Sequence, residues 1–137
     1  MPLLTWWLTD PLPPFAPIPD LSVLAAVDIP LLAALAHLSN AEAQARLAKG
    51  HQPYLASIRT EPVAYGWVAR EEAWIGELQH TLTIAPRDRY LWDFATQPAW
   101  RGQGVYPRLL QAVVRAEAAD RFWIMHAPEH TASGRGI

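Results

Sequence analysis

The sequence predicts an α/β domain of the α+β type, with an antiparallel meander followed by a parallel β-α-β unit in one mixed sheet. Three observations predict it. Two helical segments precede a block of strand-like runs. Those runs are joined by links too short for crossovers. The last unit then reads strand, glycine loop, helix, strand.

The elements follow in order. Residues 1–19 carry six of the 13 prolines. In "DPLPPFAPIP" the fixed backbone angle and missing amide donors exclude a helix or a central strand. The segment reads as an extended arm docked on the domain through Trp6, Trp7 and Phe15, and residues 20–137 as the domain itself. "LSVLAAV" (21–27) is a first strand. "DIPLLAALAHL" (28–38) is a helix capped by Asp28, and "SNAEAQARLAKG" (39–50) a second, with a Ser39/Glu42 capping box and Gly50 at its stop. His37 reads as ordinary packing. "YLASIR" (54–59), "PVAYGWVA" (62–69), "AWIGELQHTLTI" (73–84) and "YLWDFAT" (90–96) are strands linked by turns. A helix of about 14 residues follows the glycine loop and ends near Ala119. "RFWIMHA" (121–127) then returns as a strand parallel to 90–96.

Composition narrows the function. The chain has 137 residues, seven tryptophans and a formal net charge of −2. That charge is no footprint for nucleic acid, which calls for a basic patch. No stretch reaches transmembrane length, and "MPLLTWWLTD" lacks the basic leader and cleavage site of a signal peptide. The expectation is therefore no nucleic acid, no membrane and a cytoplasmic location. Absence of cysteine removes disulfides, thiolate zinc sites and a cysteine nucleophile. The excess of arginine over lysine suggests a high-GC bacterial source.

The loop in "PAWRGQGVYPRLLQAVV" (98–114) carries the strongest signal. It ends a strand and opens a helix, whose first amides are unpaired and sit at the positive end of the macrodipole. A phosphate fits there. Gly102 and Gly104 let the backbone wrap the anion, Arg101 adds a charge, and Pro107 suits a first helical turn. A P-loop fails for want of Lys-Ser or Lys-Thr, and a dinucleotide fingerprint fails at Pro107.

Residues 101–106 resemble the pyrophosphate-binding motif [RQ]-x-x-G-x-[GA] of the GNAT superfamily, the acyl-CoA-dependent N-acyltransferases. Arg101 and Gly104 match, and Tyr106 departs from the small last residue. "LWDFATQPAWRGQG" resembles the family's fourth strand and loop. "HAPEHTASGRGI" resembles the segment leaving its fifth strand, with Ser133 and Arg135 matching N-x-x-S-x-R and His130 replacing the asparagine. The likeness covers about residues 20–137. It implies a GNAT-like sheet whose fourth and fifth strands splay, with acetyl-CoA as cosubstrate. The pantetheine would lie on the backbone of Phe94, Ala95 and Thr96. The pyrophosphate would meet Arg101, Gly102, Gln103, Gly104, Val105 and Tyr106, with His130 and Ser133 nearby, and the Tyr106 ring would pack elsewhere. Family members continue with two more strands. Their absence would leave an open edge and a C-terminally truncated domain, and predicts association, as in a homodimer.

The resemblance implies an N-acetyltransferase acting by direct attack of a small-molecule or peptide primary amine on the thioester, with amides near Ala95 polarising its carbonyl. Asp93, flanked by Trp92 and Phe94, is the candidate base, with burial expected to raise its pKa; Glu77 is the second. The bland alternative for Asp93 is a structural bond to an arginine. The acidic balance favours a cationic acceptor. A non-catalytic acyl-CoA-binding or interaction module is the competing reading, and a different phosphate-ligand domain a third. No metal site is expected, since Pro128 separates His126 from His130. Ser133 has no nucleophile elbow around it. Trp67, Trp74, Trp92 and Trp123 read mainly as core, and Trp100 as exposed beside the loop.

Overall fold

A computed structural model describes residues 3–7, 15–26, 28–75 and 80–125. Its elements are β1 (Leu3–Trp7), β2 (Leu21–Ala25), α1 (Ile29–Ala36), α2 (Asn40–Ala48), β3 (Gln52–Ile58), β4 (Glu61–Ala69), β5 (Glu72–Ile75), β6 (His80–Thr83), β7 (Asp88–Thr96), α3 (Val105–Ala116) and β8 (Arg121–Met125). A six-stranded sheet runs in the order β1-β8-β7-β4-β3-β2. The β2-β3-β4-β7 portion is antiparallel, and β7 pairs with β8 in parallel. The mixed sheet expected from the run of elements is thus present, with helices on both faces.

Local chemistry explains the helices. Asp28 accepts a bond from the Leu31 amide at the start of α1. Ser39 and Glu42 form the capping box at the start of α2, bonding each other's amides at 3.0 and 3.2 Å. His37 is not core: it is exposed, in the left-handed conformation that ends α1. The amphipathic α3 places Val105, Tyr106, Leu109, Val113 and Val114 against Tyr54, Ala56, Val63 and Val68 of the sheet. On the opposite face Leu32 and Ala33 of α1 and Ala43 of α2 cover Tyr65 and Trp67.

Two expectations are corrected and one, the second below, is made more specific. The first concerns 73–84, which is not one strand but the hairpin β5–β6, a separate two-stranded sheet. Twelve residues exceed the usual strand length, and the chain reverses between Ile75 and His80. The second concerns the proline-rich arm. Its Leu3–Trp7 stretch, between prolines, forms the antiparallel edge strand beside β8. Proline-flanked strands belong at edges, where missing donors face outward. The third follows from this. With β7 on one side and β1 on the other, β8 lacks the open edge on which the homodimer expectation rested.

β1 and β2 lie at opposite edges of the sheet, and a proline-rich segment joins them in sequence. Its described part runs on the α3 face, where Ile18 packs on the core and the Ala16 carbonyl accepts two bonds from Arg108. At the far end of the sheet, Glu117 is a buried acid just beyond α3. Arg70 donates to its two oxygens at 3.0 and 2.8 Å, Arg89 donates at 2.9 Å, and the Tyr54 hydroxyl donates as well.

Candidate active site

The site begins with an irregularity in β7. Trp92 opposes Trp67, and Ala95 opposes Tyr65, so Asp93 and Phe94 together face Gly66. Two residues against one is a β-bulge. Asp93 takes the left-handed conformation that this requires, with φ 51°, which an aspartate tolerates better than most residues. Gly66 has no side chain for a physical reason: an added Cβ would overlap the Phe94 ring. That ring turns to the α3 face and meets Tyr106 edge-on, with centroids 6.1 Å apart.

β8 flanks β7 before the bulge. Pairing between β7 and β8 covers Asp88–Leu91 against Arg121–Ile124 and no further among the described residues. Among the described residues, 92–96 of β7 are paired with β4 only. The residues that would lie beside Phe94, Ala95 and Thr96 on the β8 side fall outside the described residues, so the expected divergence is a proposal taken up below.

The strand leads through a single turn, Pro98–Trp100, into the glycine loop. Gly102 and Gly104 hold φ values of 77° and 82°, which side-chain-bearing residues adopt only at a cost of about 1–2 kcal/mol. Open space surrounds the Cβ position of Gly102, whereas a Cβ on Gly104 would strike the Arg108 guanidinium. No backbone bond from the amides of Gly102, Gln103 or Gly104 is found among the described residues. The Val105 amide opens α3 and has no carbonyl within the helix to reach. These amides stand at the N-terminal end of α3, a position suited to an anion. Arg101 donates to the Thr96 carbonyl at 3.1 Å and Gln103 to the Ala99 carbonyl at 3.1 Å, so both side chains brace the loop. Tyr106 has its amide in the first turn of α3 and its ring buried in the core, as its departure from the motif led one to expect. Trp100 is partly buried rather than exposed. It packs on the α3-side core and donates to Glu61.

Sequence reading missed Arg108. It sits one turn into α3, donates to the Gly104 carbonyl at 2.7 Å and lies 5.2 Å from the centre of the Phe15 ring. A second fixed cation therefore stands at the loop, and it ties the proline-rich segment to it. The signal available was its position four residues after Gly104, on the first turn of the helix.

On the other face, Asp93 meets a cation. Arg46 of α2 donates to its Oδ2 at 2.7 Å, and the carboxylate side chain is one-third exposed. Phe94 points away, so the expected hydrophobic enclosure by Trp92 and Phe94 is not what Asp93 experiences. Arg46 lies over Trp67 and Trp92, 4.9 and 4.3 Å from their ring centres. Tyr65 is buried opposite Ala95; burial and then the Asp93 charge push its phenol pKa up to about 12, against a smaller opposing effect of Arg46. It stays a hydrogen-bond donor at neutral pH. Glu77, His126, His130, Ser133 and Arg135 lie outside the described residues, as does the side chain of Trp74.

Comparison with solved structures settles the architecture. A GCN5-related N-acetyltransferase from Kribbella flavida superposes with a TM-score of 0.58 at 17% identity, over 90% of this chain and 46% of its own. A structure from Novosphingobium aromaticivorans assigned to the GNAT acetyltransferases gives 0.60 at 20%, over 98% and 55%.

The chain has the GNAT fold.

It spans about half the length of those two GNAT structures. A predicted acetyltransferase from Clostridium acetobutylicum, solved with acetyl-CoA, gives 0.55 at 13% identity and is covered over 87% of its length. No protein-family model and no curated protein matches the sequence. Among the described residues no helix is long and apolar enough to cross a membrane.

Proposed function

We propose that the chain is an acetyl-CoA-dependent N-acetyltransferase that passes the acetyl group directly to a primary amine. The observation that carries this reading is the continuity of the bulged stretch 92–96, for which no pairing with β8 is found among the described residues, with the loop amides at Gly102–Val105. An extended pantetheine needs unpaired strand backbone, and a pyrophosphate needs converging amides and cations. The bulged strand and the loop that would supply them lie a short turn apart in sequence.

In this reading the amides of Gly102, Gln103, Gly104, Val105 and Tyr106 and the guanidiniums of Arg101 and Arg108 hold the pyrophosphate. Backbone of Phe94, Ala95 and Thr96 aligns the thioester, and an amide near Ala95 polarises its carbonyl as negative charge develops on the oxygen. Asp93 keeps Oδ1 for the acceptor while Arg46 holds Oδ2, and it receives the proton that the amine must shed before attack. Glu77, His130 and Ser133 remain assigned by resemblance alone.

The test is release of free CoA thiol on mixing the chain with acetyl-CoA and a panel of primary amines, with acetylated product verified by mass. Turnover abolished by Asp93→Asn supports the reading. Binding of acetyl-CoA without turnover of any amine would favour the non-catalytic module instead.

A further inference from the structure

The acyl-transfer reading leaves one feature of the α1/α2 face unused. Arg46 has five N–H donors, and the bond from Nη1 to Asp93 is the one found among the described residues, although the side chain is only 19% exposed. Its two ring neighbours fix the plane of the guanidinium without consuming a donor. A largely buried guanidinium with open donors is prepared for an anion, because a docking anion replaces the solvation that burial has removed. Asp93 likewise spends Oδ2, and no bond to Oδ1 is found among the described residues.

The result is a positive and a negative group 2.7 Å apart, each with an open valence, beside the bulge. The complementary ligand carries an ammonium and a carboxylate at similar spacing, in the reverse order. In an α-amino acid these groups are separated by a single carbon. A polycationic amine would meet Arg46 as a like charge, which argues against the cationic acceptor suggested by net charge. A peptide N-terminus places its nearest carboxylate too far away, unless a side chain supplies one.

We infer that the acceptor is a free α-amino acid, with its carboxylate on Arg46 and its ammonium on Asp93 Oδ1. This inference rests on the acyl-transfer reading above. Tyr65, buried opposite Ala95, is the neighbouring hydroxyl donor on that face. The step balances simply. The amine nitrogen bonds to the acyl carbon and the carbon–sulfur bond breaks. Of the two protons the ammonium loses, one passes through Asp93 to solvent and the other ends on the departing CoA sulfur.

The experiment compares kcat/KM for amino acids with that for their carboxamides, in wild type and in Arg46→Gln and Arg46→Lys. A charge-assisted bond is worth about 1.5–3 kcal/mol, or roughly 10–100-fold. The wild type is expected to favour the acid, and Arg46→Gln to reduce that preference by this factor, mainly through KM for the acid. Arg46→Lys should restore part of it. Near-ultraviolet circular dichroism and acetyl-CoA affinity report whether each variant is intact. If Arg46→Gln does not fold, the wild-type preference and the lysine variant decide. Equal or better use of the carboxamide by wild type overturns the inference, as does a preference unchanged in a folded Arg46→Gln. Turnover of neutral amines alone sinks the inference and leaves the acyl-transfer reading standing. Failure of the wild type to bind acetyl-CoA sinks both.

Discussion

Replacing Glu117 by glutamine tests how the far end of the β7-α3-β8 unit is held. The carboxylate is 1% exposed and accepts from Arg70, Arg89 and Tyr54. Burial alone would raise its pKa; bonds from Arg70, Tyr54 and Arg89 overcome that and hold it below the usual carboxylate range. The same burial and the negative charge of Glu117 push the Tyr54 phenol well above the ordinary tyrosine range, so it remains a donor. A glutamine keeps the shape, but its NH2 group faces arginine donors and the pair loses its negative member. Breaking a buried pair costs about 3–5 kcal/mol. The Arg70 side chain is 41% exposed and re-solvates, so the lower end applies, about 3 kcal/mol. Against a total of about 5–15 kcal/mol this is a large share. At about 3–5 °C per kcal/mol for this size, Tm should fall by about 10 °C. Urea unfolding followed by tryptophan fluorescence measures the free-energy loss, and a thermal melt the change in Tm. The sign with pH is fixed as well: a depressed native pKa gives stability that is present above the unfolded value of about 4.3 and lost as pH falls through the native one. Glu117→Gln should lack this acid-sensitive component. A variant within 1 kcal/mol of wild type at pH 7, with the same acid sensitivity, would refute the reasoning.

Two further outcomes are expected. Gly66→Ala drives a methyl into the Phe94 ring, which should cost about 1–3 kcal/mol and weaken acetyl-CoA binding through the displaced bulge. Unaltered affinity and stability in paired titration and urea experiments would show the bulge to be indifferent to that contact. His51 bonds the Glu72 carbonyl through Nε2, which must therefore carry the proton, and buried Nδ1 has no partner among the described residues. Burial first, then the charges of Arg46 and Lys49, push its pKa below the ordinary histidine range, against the bond to Glu72. Its contribution is full above the unfolded value near 6.5 and declines as pH drops from there. NMR titration should find the His51 midpoint below the ordinary histidine value of about 6.5, and a midpoint at or above it would contradict the assignment.

The sequence disclosed most of what is periodic or capped. Asp28, Ser39 and Glu42 act as their types and spacing require, because caps are local chemistry. The loop at 101–106 was legible because glycines with positive φ and an N-terminal helix turn leave a local pattern. Leu3–Trp7 was obscured by the prolines around it; an edge strand needs only a partner, and the partner lies over a hundred residues away. The bulge had one overlooked signal, Gly66 inside an otherwise bulky strand, which marks a close approach. Arg46 had another, since it follows Ala43 by three residues and precedes Leu47 on the inward stripe of α2. Its pairing with Asp93 across 47 residues is tertiary and leaves no mark in either segment.

The central claim is that the loop after β7 takes the pyrophosphate of acetyl-CoA. Calorimetric titration of the wild type beside Gly102→Asp tests it most directly. The position is surrounded by open space, and aspartate tolerates a positive φ, so the variant should fold while carrying a negative charge at the loop. Micromolar binding by the wild type, weakened at least about tenfold in the variant by like-charge repulsion, is the predicted result. A folded wild type that ignores acetyl-CoA, or a variant that binds it equally well, would contradict the claim.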